Sequence, residues 1–216
     1  MKIKHLLFLP LLLTSCNSIN TIKVSYKNES SYTVGDLTTS ENVNEIKVNY
    51  ILGNINFTYS DDSNVYVTEK TDKAVSEDIQ MRYYLTEGVL NIQPCATGNR
   101  DYTNAKRDLD IKIPTSYTLS SILVDSISSN INVEVDASVY TFNTVSGSIK
   151  MNINSFDKIE CNVVSTNSEI TVKEDIGVKV EFNSIGGKLT NNISKVDENH
   201  YIEYNTVSGN LKVNKA

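Results

Sequence analysis

Apolar and polar residues alternate along this chain in a way that argues for strands, and in its second half the alternation recurs. ILVDSISSNINVEV (122–135), YTFNTVSGSIKMNI (140–153), IECNVVSTNSEITV (159–172), VEFNSIGGKLTNNI (180–193) and IEYNTVSGNLKV (202–213) align on a short turn rich in serine and glycine. Their first strands begin at Ile122, Tyr140, Ile159, Val180 and Ile202, which gives spacings of 18, 19, 21 and 22 residues. An earlier stretch, IKVNYILGNINFTY (46–59), has the same form and stands apart from the array.

Residues i and i+2 of a strand share a face. The first strands therefore offer matching triplets: Ile122/Val124/Ser126, Tyr140/Phe142/Thr144, Ile159/Cys161/Val163, Val180/Phe182/Ser184 and Ile202/Tyr204/Thr206, with Ile46/Val48/Tyr50 as an earlier match. The second strands resume with Ile131/Val133/Val135, Ile149/Met151/Ile153, Ile170/Val172 and Leu211/Val213, while Leu189/Asn191/Ile193 holds one polar exception. Between the two strands, Ile127, Val145, Val164, Ile185 and Val207 break the parity. A bend that swings them inward is the expectation.

The opposite face carries one residue type in a column: Asn49, Asp125, Asn143, Asn162, Asn183 and Asn205. Parallel stacking would set these side chains one above another at about 4.8 Å. Stacked amides then hydrogen-bond along the column. One repeat cannot bury its apolar face alone, so neighbours must stack into a continuous core. The prediction is an all-β protein whose residues 117–216 form a parallel β-solenoid of repeats, with two or three strands per turn. A less regular β region over 22–116 precedes it, continuous with it as one domain. The competing architecture is an antiparallel sandwich or meander with the Ser-Gly turns as hairpins. Those turns are not the favoured Asn-Gly or Asp-Gly type, and same-residue columns follow from parallel stacking. Within 22–116, EGVLNI (87–92) predicts a hairpin bend into a strand, 68–80 a short helix or an extended loop, and 98–108 a polar surface loop.

Composition narrows the function classes. The chain is 39% hydrophobic and 21% charged, as a folded chain is, with a formal net charge of −6. An acidic chain without a Lys/Arg cluster is a poor partner for nucleic acid or for a polybasic membrane contact. MKIKHLLFLPLLLTSC combines a basic start (Lys2, Lys4) with an apolar run from Leu6 to Leu13, too short to span a bilayer as a helix. Residues 1–15 are expected to be a signal peptide. Leu13-Thr14-Ser15-Cys16 resembles the lipobox of bacterial lipoproteins, which implies a lipid on Cys16 and a short tether over 16–21. The implied partner is a membrane, held through that lipid.

Candidate chemistry is sparse. Cys95 and Cys161 are either a disulfide, as an oxidising compartment permits, or two free thiols. Cys161 falls in the apolar column, flanked in this reading by Phe142 and Phe182, which favours a buried free thiol. His200 is the single histidine outside the leader and sits in the polar loop KVDENHY. A solvated loop residue explains it better than a triad member. SDDSN (60–64) suits a turn better than a calcium loop. Glu174/Asp175 and Asp197/Glu198 are neighbours in loops, with no sign of a fixed separation across a cleft. Tyr83-Tyr84 alternates as one ring in and one ring out. Sequons occur at Asn28, Asn56 and Asn192. Nothing in the sequence marks a catalytic group, a metal site or a cofactor.

LDIKIPTSYTLSSILVDSISSNINVEV, followed by NTVSGSI and NTVSGNL, is similar to the bacterial "putative adhesin" family, whose function is unknown. The recurring S-G-D/N/S-I turns after an I-x-V/I-P strand carry the resemblance. Ser129 and the Ser-Thr-Asn turn at 165–167 depart from it by lacking the glycine. The resemblance implies an envelope-associated β-solenoid. The expected function is a non-enzymatic, lipid-anchored envelope protein that acts as an adhesin or interaction scaffold, with an envelope protein or a glycan as partner. The alternative is a small β-helix enzyme acting on polysaccharide, which would need cations along a groove. Outside the leader there are three arginines, Arg82, Arg100 and Arg107, none in the array.

Overall fold

A computed structural model describes residues 23–99, 104–173 and 175–216. Cys16 and the leader lie outside the described residues, as do Arg100 and Glu174. The described chain is all-β. Its strands are β1 (Thr33–Val34), β2 (Leu37–Thr39), β3 (Glu45–Ser60), β4 (Val65–Thr71), β5 (Arg82–Thr86), β6 (Val89–Gln93), β7 (Arg107–Pro114), β8 (Leu119–Val133), β9 (Ala137–Ile153), β10 (Lys158–Val172), β11 (Lys179–Ser184), β12 (Leu189–Asn191), β13 (Tyr201–Thr206) and β14 (Leu211–Lys215). They form one mixed sheet, dominated by long parallel strands.

The register follows the repeat. Ile122 pairs with Tyr140, Tyr140 with Ile159, and Ile159 with Ile202. In the second strands Ile131 pairs with Ile149, Ile149 with Ser168 and Ser168 with Leu211. Each repeat contributes one rung with a first and a second half, and the ladder skips Ile51, Ile127, Val145 and Val164 between the halves. All the inward-facing residues of the inner rungs are buried, from Ile122, Val124 and Ser126 to Leu211 and Val213. The parity-breaking residues do not turn inward. Val145, Val164 and Val207 are half-buried and Ile185 is 85% exposed, so the extra residue of the bend points away from the core.

Three placements differ from the expectation. The segment 46–59 is not apart from the array: β3 pairs in parallel with β8 over both halves, Ile46 with Ile122 and Ile55 with Ile131. On its other side β3 meets a rung split in two, β6 beside the first half and β7 beside the second. Arg107 and Asp108, read as loop, belong to β7. Thr68–Thr71 likewise belong to β4, and the rest of 68–80 contains a single 3-10 turn at Glu77–Ile79. The third difference is the order of the last two repeats. β13 and β14 lie between β10 and β11/β12, so the final repeat in sequence is the penultimate rung in space. Cys161 is therefore flanked by Phe142 and Tyr204, and Phe182 stacks on Tyr204 at the edge, with ring centroids 5.7 Å apart.

The hairpin at EGVLNI forms as expected. Glu87 and Gly88 have φ of 51° and 77° and join antiparallel β5 and β6. Two positive φ values in a two-residue loop match the twist of the flanking strands.

Candidate functional site

The outward face of the first halves holds the predicted column, and from Asp125 to Asn183 it is hydrogen-bonded from rung to rung, a series that does not extend to Asn49. Asn143 Nδ2 donates to Asp125 Oδ1 at 2.7 Å, Asn162 to Asn143 at 3.1 Å, Asn205 to Asn162 at 3.0 Å and Asn183 to Asn205 at 3.0 Å. Every amide donates in the same direction, and the series ends on a carboxylate. The reason is chemical: an asparagine both donates and accepts, whereas an aspartate only accepts and so terminates a row.

Sequence reading missed two further rows on the second halves. Asn130 donates to Asn54 at 3.2 Å, and Asn54 donates to Asp108. Asn132 donates to Asn56 and Asn56 to Asp110, each at 2.9 Å. The signal was present as Asn-Ile-Asn at 54–56 and 130–132, matched by Asp-Leu-Asp at 108–110. These rows also point towards the β6/β7 end and also finish on aspartate. Burial opposes the charge on Asp110, but hydrogen bonds from Lys70 and Asn56 outweigh it and hold the carboxyl below its usual range.

Beside the first column runs an acidic one. Glu160 pairs with Glu203 and Glu203 with Glu181 on successive rungs. Lys158 lies 2.6 Å from Glu160 and 3.5 Å from Glu203. Glu181 accepts from the Tyr201 hydroxyl at 2.6 Å, which, with the Asn183 amide, holds its carboxyl below the usual value. The second-half face is different. A shallow groove of about 560 Å³ there is lined by Asn132, Lys150, Asn167, Glu169, Lys188 and Lys212. Its lining is mixed, with Ile149 and Leu211 among the polar side chains, and Lys212 pairs with Glu169 at 2.9 Å.

An ion pair between Arg107 and Glu69 is enclosed in the interior. Arg107 fills the bend at the split rung: Nη1 meets Glu69 Oε1 at 2.5 Å, Nη2 donates to the Ile79 carbonyl, and the Tyr50 hydroxyl donates to the same Glu69. Glu69 Oε2 also accepts from the Met81 N–H at 3.3 Å. Arg107 is thus the cationic plug of an interior network, out of reach of a polymer on the surface. A cleft of about 290 Å³ lies against Glu69.

The remaining candidates take structural roles. Cys95 and Cys161 are both free and fully buried, in separate clusters. Burial pushes the Cys95 thiol up to about 12 and raises Cys161 further still. His200 is not a solvated loop residue: it packs edge-on against Phe156, with ring centroids 5.4 Å apart, and its Nδ1 lies 3.4 Å from Asp197. The backbone N–H of Asn199 holds Asp197 low. Asp62 closes its own turn by accepting from the Asn64 N–H at 2.8 Å and the Tyr66 hydroxyl at 2.6 Å. Tyr83 packs on the core, while Tyr84 meets Tyr32 with centroids 5.6 Å apart. Of the sequons, Asn56 commits its amide to the Asp110 row, Asn192 donates to Asn214 at 2.8 Å and Asn28 stands in an exposed left-handed turn.

No protein-family model matches the chain, and no curated protein matches it by sequence. Solved structures do match it in fold. A putative cell adhesion protein from Clostridium sporogenes superposes with a TM-score of 0.61 at 11% identity, covering 85% of this chain and all (100%) of its own. A putative adhesin from Bacteroides fragilis matches with a TM-score of 0.36 at 11% identity, over 85% of this chain and 97% of that one. A putative lipid binding protein from Parabacteroides distasonis matches with a TM-score of 0.33 at 10% identity, over 86% and 97%. The fold is that of the first of these, and the adhesin resemblance seen in the turns agrees with it at the level of structure.

Proposed function

We propose that this chain is a lipid-anchored envelope protein whose parallel stack is a β-solenoid that displays a polar face to a partner, as an adhesin or interaction scaffold. The coil is supported by its connections. β8 has 15 residues, roughly 50 Å if straight. Yet three residues, 134–136, carry the chain back to the start of β9, where Ala137 pairs with Leu119. Such a link spans at most about 14 Å. A flat parallel pair needs a crossover of about a dozen residues or more. Each rung therefore has to fold back at its bend. Spin labels on exposed Ser120→Cys and Glu134→Cys are expected under about 20 Å apart, against roughly 45 Å for a straight strand.

The observation that carries the function is the Asp125–Asn143–Asn162–Asn205–Asn183 column, an outward amide row that crosses successive rungs at a fixed repeat. It gives an extended partner evenly spaced amide oxygens with the acidic column alongside, since the second N–H of Asn162, Asn205 and Asn183 is already committed to Glu160, Glu203 and Glu181. The adhesin-like fold supports the same reading, and the lipobox at Cys16 supports anchoring. Cys16→Ala is expected to move the protein from the membrane fraction to the soluble fraction. Unchanged fractionation would refute the anchor. The lipid-free mature chain is expected to bind on a glycan array or to capture an envelope protein, and Asn162→Ala to weaken that binding. Turnover of a polysaccharide, abolished by one carboxylate change, would instead support the enzyme reading.

A further inference from the structure

The two ends of the stack are built differently. At one end each half-rung is covered by an antiparallel strand, β5 on β6 and β4 on β7. At the other, β11 pairs with β13 and β12 with β14, and no described strand lies on their outer edges. Val180, Phe182 and Leu189 are only partly buried there, although their equivalents on inner rungs are buried. An open edge that also lacks its last apolar layer is a template for another strand.

We propose that this edge is closed by the same edge of a second copy, in a two-fold dimer that sets β11 of each copy antiparallel to β12 of the other. The proposal rests on the coiled reading of the rungs. Topology selects the geometry. Head-to-tail stacking needs a full-length rung edge at both ends, and the far end finishes instead on the short strands β1 and β2, which pair with two residues of β5 and three of β4, so open end meets open end and the assembly closes. Direction agrees. β11 runs into the bend and β12 runs out of it, so a two-fold axis through the bend, perpendicular to the stack, brings each beside the other with opposite sense. Phe182 then faces the partner's Leu189, and the core runs on across the joint.

Charge selects a second copy over an unrelated strand. Near the edge the first-half face ends in Glu203 and Glu181, its Lys158 and Lys179 being paired with Glu160 and Glu198, and the second-half face ends in Lys188 beside the Lys212–Glu169 pair. The two-fold lays the acidic face of one copy against the basic face of the other. Glu181 becomes a diagonal neighbour of the partner's Lys188. Among the described residues neither Glu181 nor Lys188 forms an ion pair within its own chain.

Sedimentation of the lipid-free mature chain tests this. The wild type is expected to sediment as a dimer. Glu181→Lys or Lys188→Glu alone should raise the dissociation constant at least about tenfold, and the double swap should restore it to within roughly threefold. Circular dichroism and the Ser120–Glu134 distance are followed in parallel. A folded chain with the short distance that stays monomeric up to about 100 μM overturns the dimer and leaves the coil intact. A long distance overturns the coil itself, and the dimer with it. A dimer indifferent to both single swaps, or an edge that is protected from hydrogen exchange only by an added envelope protein, also overturns the proposal.

Discussion

Gly147 shows how closely the bends are packed. It has φ of 114°, and a Cβ there would sit 2.0 Å from the carbonyl oxygen of Ser129 on the next rung. Gly147→Ala is expected to cost about 2–4 kcal/mol in urea unfolding, since both the backbone conformation and the contact forbid the methyl. Ser129 occupies the same column, is buried, and has a hydroxyl without a hydrogen-bond partner. Ser129→Ala should therefore lie within about 0.5 kcal/mol of wild type or stabilise, because it removes an unsatisfied polar atom. The missing glycine at 129 is thus no defect of that bend, since Ser129, unlike Gly53 and Gly147 on either side, does not take a positive φ. The two thiols give a second check. Burial raises both, so the thiolate is scarce at pH 8 and the sulfurs are enclosed. A thiol reagent should label neither cysteine in the native protein and both in denaturant. Labelling of neither in denaturant would mean a disulfide.

Rungs differ by position more than by sequence. Phe142 is enclosed between Val124 and Cys161, whereas Phe182 has a neighbouring rung on one side. Phe142→Ala should cost about 3–5 kcal/mol, as an aromatic core truncation does, and Phe182→Ala about 1–2 kcal/mol in protein dilute enough to be monomeric. Equal losses would mean that the edge is covered within one chain. The sequence made the rungs legible because period-two alternation and the Asn column both report which residues share a face. It could not reveal the order of the last two rungs. Repeats at 180–193 and 202–213 present near-equivalent faces, so either can dock on β10, and pairing partners distant in the chain leave no local trace. The bend residues misled for a related reason: an apolar residue out of parity implies burial only where something covers it. Val24, Ile79 and Cys95 cover Ile51, and nothing comparable covers Ile185. Arg107 escaped notice because its partners Glu69, Tyr50 and Ile79 come from separate segments.

At the scale of the whole molecule the stack has a closed end and an open one, and the closed end is where the described chain begins. Val24 and Tyr26 pack beside Ile51, Ile79 and Cys95 there. The proposed tether on Cys16 would hold that end towards the membrane and turn the β11/β12 edge outwards, so the proposed anchor and the proposed dimer edge would not compete for space. The exchanged order of the last rungs has a consequence for how the stack assembles. β8 seats on β3 across 76 residues, and β9 and β10 can then be laid down in the order in which they emerge, each on a neighbour about 18 residues back. The segment 179–191 cannot follow suit, because its seat does not exist until 201–215 has settled on β10 across a separation of 43 residues. The pairing order therefore makes the later segment the keystone: residues 201–215 must be seated before 179–191 can lock in place.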